Sequence, residues 1–286
     1  RPQGEGGEWI ADAVKVSLRP LEEDETALAV RRWLADADPF LIRRIHAYAG
    51  GVPLFIEELC HSASSSGLSQ ALDEQAAAKQ SWVAALVASR VGRLPADSAA
   101  VVRAAAVVGN VVPGWLLEAV CEHSLTEGLL AQLEDADLIF AVPGSGNLRF
   151  KHGLTRDAIY EVVGLYERRA LHRRILNAMT ERAARGDASP DAEVMAFHSW
   201  GAADWLEAAR NAERAGDQAA SSFSMDRARA HFRTAMTALD RLAPMMAERA
   251  RQWCRLAGKL GMASIFDPLS LRGDAGPFER AVDLAL

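Results

Sequence analysis

From Leu21 onward the apolar residues recur at helical spacing, and the period falls to two in one place, between Leu138 and Phe150. A period of 3.6 buries one stripe of an α-helix, whereas a period of two buries one face of a strand. Leu138–Val142 and Leu148–Phe150 flank Pro-Gly-Ser-Gly-Asn, a hairpin turn signal. A mainly α chain carrying one β-hairpin is therefore expected. A second alternating run, Val14–Leu18, reads as a lone short strand whose partners would lie before Arg1.

Helix starts and stops are marked by residue type. Leu21–Ala35 opens on the acidic run Glu22, Glu23, Asp24 and Glu25, which suits the positive end of a helix dipole. Asp38-Pro39 opens a second helix, and Gly50-Gly51 stops it. Pro53 takes the first position of a third, Leu54–Ser62, and residues 63–80 read as a loop. Ser81–Leu94, then a helix from Pro95 through Val101–Val108, then Pro113–Val120 and Leu125–Glu134 follow. After the hairpin comes Leu154–Val163. Helices, a hairpin and another helix is the order of a winged-helix domain.

From Tyr166 on, everything reads as helix. Residues 201–250 hold 15 alanines, and Ala208, Ala209, Ala212 and Ala215 would let two helices approach closely. Gly216 and Leu242–Pro244 are turn candidates. The pair 204–215 with 225–241 resembles one tetratricopeptide-like unit, without the W-x-x-L-G pattern.

Composition narrows the function classes. The chain has 286 residues, about two domains at roughly 150 residues each. A net charge of −6 argues against a nucleic-acid binder. No apolar run approaches the ~18 residues of a membrane span. Cys60, Cys121 and Cys254 lie far apart with no C-x-x-C pair, which fits a cytoplasmic protein. The start at Arg1-Pro2 and the uncapped helical pattern at Phe278–Leu286 lead us to expect a piece of a longer protein.

No catalytic constellation assembles from these residues. The seven histidines form no H-E-x-x-H, there is no G-x-S-x-G, and no G-x-x-x-x-G-K-[ST] occurs. No metal site is expected. Glu57-Glu58 reads as a solvated helix edge. Arg149–Arg174 holds seven Lys/Arg against three Asp/Glu. Solvated helix charge is the default reading there, with anion binding and a DNA surface as competitors.

Several segments, in order, resemble STAND-class signalling ATPases. Gly50-Gly-Val-Pro-Leu-Phe-Ile-Glu-Glu-Leu59 is similar to their G-N-P-L-F-(I/L)-E-E-L segment. Val83–Leu94 with Val101–Gly109 resembles their R-(L/V)-x-x-L-P and A-A-V-x-G stretch. Arg149-Phe-Lys-His-Gly-Leu-Thr-Arg-Asp-Ala-Ile-Tyr160 resembles their F-(R/K)-H-x-L-x-R-(D/E)-A-x-Y motif. Arg168-Arg-Ala-Leu-His-Arg-Arg174, Ala196-Phe-His-Ser-Trp-Gly201 and the opening Arg1-Pro2 followed by Val16-Ser-Leu-Arg-Pro-Leu21 continue the likeness. It is nearest to the ATPase and helical-repeat regions of bacterial adenylate/guanylate-cyclase-linked proteins and of large LuxR-type activators.

The resemblance implies a part list. Residues 1–21 would be the edge of a nucleotide-binding core, 22–80 a helical lid, 81–165 a winged helix, and 166–286 a tetratricopeptide-like array. The phosphate loop and the Mg²⁺-binding Asp would lie before Arg1, so ATP or ADP with Mg²⁺ is expected in the parent protein. The fragment itself would catalyse nothing. Two residues carry over. Pro53 matches the proline that packs on adenine, and otherwise merely starts its helix. His152 matches the histidine that touches the ADP β-phosphate, and otherwise is a satisfied histidine at the wing–helix junction; Gly153 stands where relatives have Asp. The implied function is a regulatory portion that couples a protein or small-molecule signal on the repeats to an output domain such as a cyclase. A helical scaffold without nucleotide dependence and the central region of a LuxR-type activator are the alternatives.

Overall fold

A computed structural model describes residues 18–66, 81–122, 124–187, 190–242, 247–265 and 275–285. The expected strand at Val14–Leu18 lies almost wholly outside the described residues. Among them are fourteen helices and one three-stranded antiparallel sheet, so the chain is mainly α. Two compact units emerge, one ending at Val87 and one beginning at Ala88, and each is described by itself.

In the first unit, α1 (Glu23–Trp33), α2 (Pro39–Ala49) and α3 (Pro53–Ser66) pack pairwise on one another. The acidic start of α1 works as expected. The Glu22 N–H donates to the Glu25 carboxylate at 2.9 Å, and Arg19 bridges Glu22 and Glu25. Asp38 accepts the Leu41 N–H at the head of α2, and Gly50 and Gly51 end it at positive φ. Val30, Ile42, Ile45, Ile56, Leu59 and Cys60 form the core, which Leu86 of α4 (Ser81–Gly92) joins. Thr26, fully buried, meets His46 Nδ1 at 2.9 Å. Residues 63–66 of the expected loop belong instead to α3, which continues through Ser66; the rest of that expectation, residues 67–80, lies outside the described residues.

In the second unit, α5 (Ala96–Val108) is buried from Ser98 through Val107 except at Ala100 and Arg103, which mark its one open side. Then follow β1 (Val111–Pro113), α6 (Gly114–Cys121), α7 (Glu127–Asp135), β2 (Ile139–Val142), β3 (Asn147–Phe150) and α8 (Gly153–Val162). The hairpin β2–β3 stands where the period of two placed it, with Ile139 opposite Phe150. It gains a third strand that the pattern did not reveal. β1 pairs with β3, Val112 opposite Leu148, giving the order β1-β3-β2. Three residues are too few for alternation to show, and Pro113 is tolerated because β1 is an edge strand. Within this unit the Arg90 guanidinium donates to the carbonyls of Ala136 and Asp137 in the α7–β2 connection.

The rest is helical: α9 (Leu165–Ala184), α10 (Ala192–Gly201), α11 (Trp205–Ser221), α12 (Met225–Asp240), α13 (Ala247–Ser264) and α14 (Ala275–Ala285), each touching the next. The α10–α11 and α11–α12 turns repeat one design. Ala203 and Phe223 both take φ 57°, and the next N–H reaches back five residues, Asp204 to Ser199 O and Ser224 to Ala219 O. The alanine faces pack as expected: Ala208, Ala209 and Ala212 of α11 are buried against Ala228, Phe232 and Ala235 of α12. Gly216 is not a turn. It lies inside α11, where a Cβ would overlap the Phe232 ring, so the glycine serves close helix contact. The other turn candidate, Leu242–Pro244, lies mostly outside the described residues.

Candidate functional site

The Arg149–Tyr160 segment supplies the end of β3, the start of α8 and Tyr160 near its end; Arg168–Arg174 lies on α9, and Ala196–Gly201 ends α10. These three elements meet. The Tyr160 hydroxyl lies 3.1 Å from His172 Nε2, and His172 Nδ1 lies 2.8 Å from His198 Nδ1. Both imidazoles are buried, at 0% and 1% exposure. Phe197 stands edge-on to His172, with ring centroids 5.4 Å apart. A Cβ on Gly201 would overlap the His172 ring, so the glycine lets α10 approach α9 there.

Two arginines frame the cluster. The Arg168 guanidinium sits 4.6 Å from the Tyr160 ring centre, and that of Arg156 sits 5.0 Å from it. Arg156 Nε donates to Ala106 O at 2.6 Å, fastening α8 to α5. Arg168 approaches Glu161 only at 3.8 Å, and its buried Nε has no hydrogen-bond partner among the described residues.

Burial, followed by the positive charges of Arg168 and Arg156, pushes His172 well below the ordinary imidazole range. Burial, then the neighbouring His172 and Arg156, does the same to His198. Both are therefore neutral at pH 7, and one proton lies between the two Nδ1 atoms. If His172 carries it, Tyr160 donates to His172 Nε2. If His198 carries it, His172 donates to the Tyr160 oxygen. Either arrangement satisfies the chain Tyr160–His172–His198. With both imidazoles buried, the chain Tyr160–His172–His198 couples α8, α9 and α10.

The residues singled out by resemblance sit elsewhere, in different units. Pro53 is the first residue of α3, and lines an open groove of about 490 Å³ with Ala29, Arg32, Trp33, Ile56 and Glu57. A proline ring, an indole and a guanidinium together suit a planar, electron-rich ring. His152 is the N-cap residue of α8, half-buried, with extended backbone, and its side chain caps no helix N–H. Its carbonyl accepts the Arg156 N–H. An imidazole at a helix N-terminus fits an anion. Position 153 has room: a Cβ there would come no nearer than 4.0 Å, to Asn110 Oδ1.

Much of the positive charge of Arg149–Arg174 is engaged within the fold. Lys151 pairs with Asp137, Arg156 and Arg168 hold the cluster, and Arg174 reaches Val120 O at 3.3 Å. Tyr160, His172, His198 and Gly201 had no role assigned from sequence. The available signal was that each lies within a matched segment.

No family model matches the chain, and no solved structure matches it. An uncharacterized protein of Rhizobium meliloti (strain 1021) is 33% identical over 229 residues, covering 73% of this chain. The chain spans about a fifth of that relative, 20% of its length. No helix among the described residues is long and apolar enough to cross a membrane.

Proposed function

We propose that the chain is the regulatory portion of a nucleotide-switched signalling ATPase of the STAND class, acting in the cytoplasm. The observation that carries this reading is the meeting of three matched segments in one hydrogen-bonded cluster. Segments 12 and 26 residues apart at their contact points are joined through Tyr160, His172 and His198. The order helix, strand, helix, helix, hairpin over α5 to β3 supports a winged helix, and the repeated α10–α11 and α11–α12 turns support a tetratricopeptide-like array.

In this reading the bound nucleotide, with Mg²⁺, supplies the phosphate charge on which the switch turns. Each unit offers one residue to this reading: in the first, Pro53, beside Trp33 and Arg32, would pack on an adenine ring; in the second, His152 at the head of α8 would donate an imidazole N–H to a phosphate oxygen. Contact made in one nucleotide state and lost in the other biases the position of α8, the least that a switch requires. Tyr160 at the far end of α8 carries that bias to α9 and α10. A signal on the helical array acts through the same joint on an output such as a cyclase. DNA contact is disfavoured, because α7, the helix a winged helix would insert, carries Glu127, Glu134 and Asp135 and no Lys or Arg.

The test is His152→Ala in the full-length parent. Lost ADP retention and raised basal output support the clamp. Unchanged retention and output overturn it. ADP titration of the full-length wild type separates the scaffold alternative, which gives no thermal shift.

A further inference from the structure

A cavity of about 670 Å³ opens in the second unit between α5, the α6–α7 region and α9. Small side chains make the room: Ala100 and Ala104 on α5, Gly128 on α7 and Ala170 on α9. Protein interiors leave few voids larger than a water molecule, whereas small-molecule sites run to roughly 300–1,000 Å³. Val101 and Val120, both buried, and Leu171 supply apolar walls. The Cys121 thiol also lines the space, and burial raises its pKa to about 11, so it stays a neutral thiol.

The polar groups are few and differ in how far they are committed. Ser98 donates to Gln132 Oε1 at 2.7 Å. Glu167 is held by Arg103 at 3.0 Å. Asp97 stands in the first turn of α5, where the helix dipole favours its charge. Arg174 gives one N–H to Val120 O and meets Glu122 only at 3.9 Å, which leaves further donors of its fork for another acceptor. Glu167, Ala170, Leu171 and Arg174 recur three and four apart, so one face of α9 presents Ala170 and Leu171 between a carboxylate at one end and a guanidinium at the other.

We infer that this cavity binds a small molecule with an apolar body and one carboxylate, the body between α5 and α9 and the carboxylate on Arg174. The inference does not rest on the nucleotide reading. Such a ligand replaces no existing ion pair of good geometry and gains a charge-assisted hydrogen bond at the mouth of an apolar space.

The test uses sodium octanoate and its neutral match, octanamide, titrated into the whole chain by calorimetry. Octanoate should bind saturably at one site, and roughly tenfold or more tighter than octanamide, the usual worth of a hydrogen bond to a charged group. Arg174→Gln should bring the two to equal affinity. Ala170→Leu fills the cavity from an exposed wall position, so folding is expected to survive, and it should abolish octanoate binding. Ala100→Leu, from the opposite wall, should do the same. No saturable octanoate binding, or binding unchanged in both filled variants, overturns the site. Equal affinity of the wild type for octanoate and octanamide overturns the carboxylate assignment.

Discussion

The imidazole of His172 occupies the space in which a Cβ of residue 201 would stand. Its ring is held from two sides, by Tyr160 at Nε2 and His198 at Nδ1, so it has nowhere to yield. Gly201→Ala therefore forces α9 from α10 or breaks the histidine pair. A loss of about 1–3 kcal/mol is expected, the usual cost of overpacking a filled core. Urea denaturation measures it, and a change under ~0.5 kcal/mol, the range of neutral surface substitutions, would show that the ring relaxes freely.

The same pair makes stability depend on pH. Both histidines have their folded pKa lowered, while the unfolded chain titrates near the ordinary value of 6.5. Below that pH the unfolded state binds protons that the folded state refuses, so stability is fully present above 6.5 and falls as the solution is acidified toward the folded pKa values. Each histidine contributes up to about 1.4 kcal/mol per pH unit within that window. His198→Gln should flatten the slope between pH 6.5 and 5. An unaltered slope would mean that other groups carry the acid sensitivity.

Glu213 of α11 reaches past its neighbour helix. Burial alone would raise its pKa, but hydrogen bonds from Arg255, Lys259 and Gln252 of α13 outweigh that and hold it below the ordinary carboxylate value. Glu213→Ala should cost roughly 1–3 kcal/mol, the range for breaking a partly buried charged network. The double change with Lys259→Ala should cost less than the two separate losses summed, because the pair is counted once. Strict additivity would place the carboxylate outside the network.

Ala203 and Phe223 take a left-handed conformation that side chains resist. Glycine relieves that strain but loses more chain entropy on folding. The balance favours Ala203→Gly by about 0.5 kcal/mol, read as a raised melting temperature. A lowered one would show that the turn tolerates its Cβ without strain.

Gly153→Asp should stabilise by about 0.5–1 kcal/mol, since an acid in the first turn of α8 meets the helix dipole and glycine is a poor helix former. The space beside Asn110 accommodates it. Thermal denaturation of this variant, compared with Gly153→Ala, separates the charge from the propensity.

Local punctuation was legible because it acts over one turn of chain. Pro39 and Pro53 open their helices, Pro95 precedes α5, Gly50-Gly51 closes α2, and the four-residue turn between β2 and β3 follows the alternation on either side. The buried faces of α11 and α12 were legible for the same reason, as alanines spaced by helical turns. Pro53 and His152 were named through resemblance to other proteins, and the residues around them, such as Trp33 and Arg32, came only with the packing of α1 on α3.

The sequence by itself determined where most helices begin, which stretch turns to strand, and which faces are apolar, since each depends on neighbours within a few residues. Tertiary structure decided which distant residues meet. It added β1 to the hairpin, placed Gly216 under the Phe232 ring instead of in a turn, and brought Tyr160, His172 and His198 into one buried chain. Those contacts depend on how α8, α9 and α10 cross, and crossing is set by the summed packing of whole helix faces, which no single segment contains.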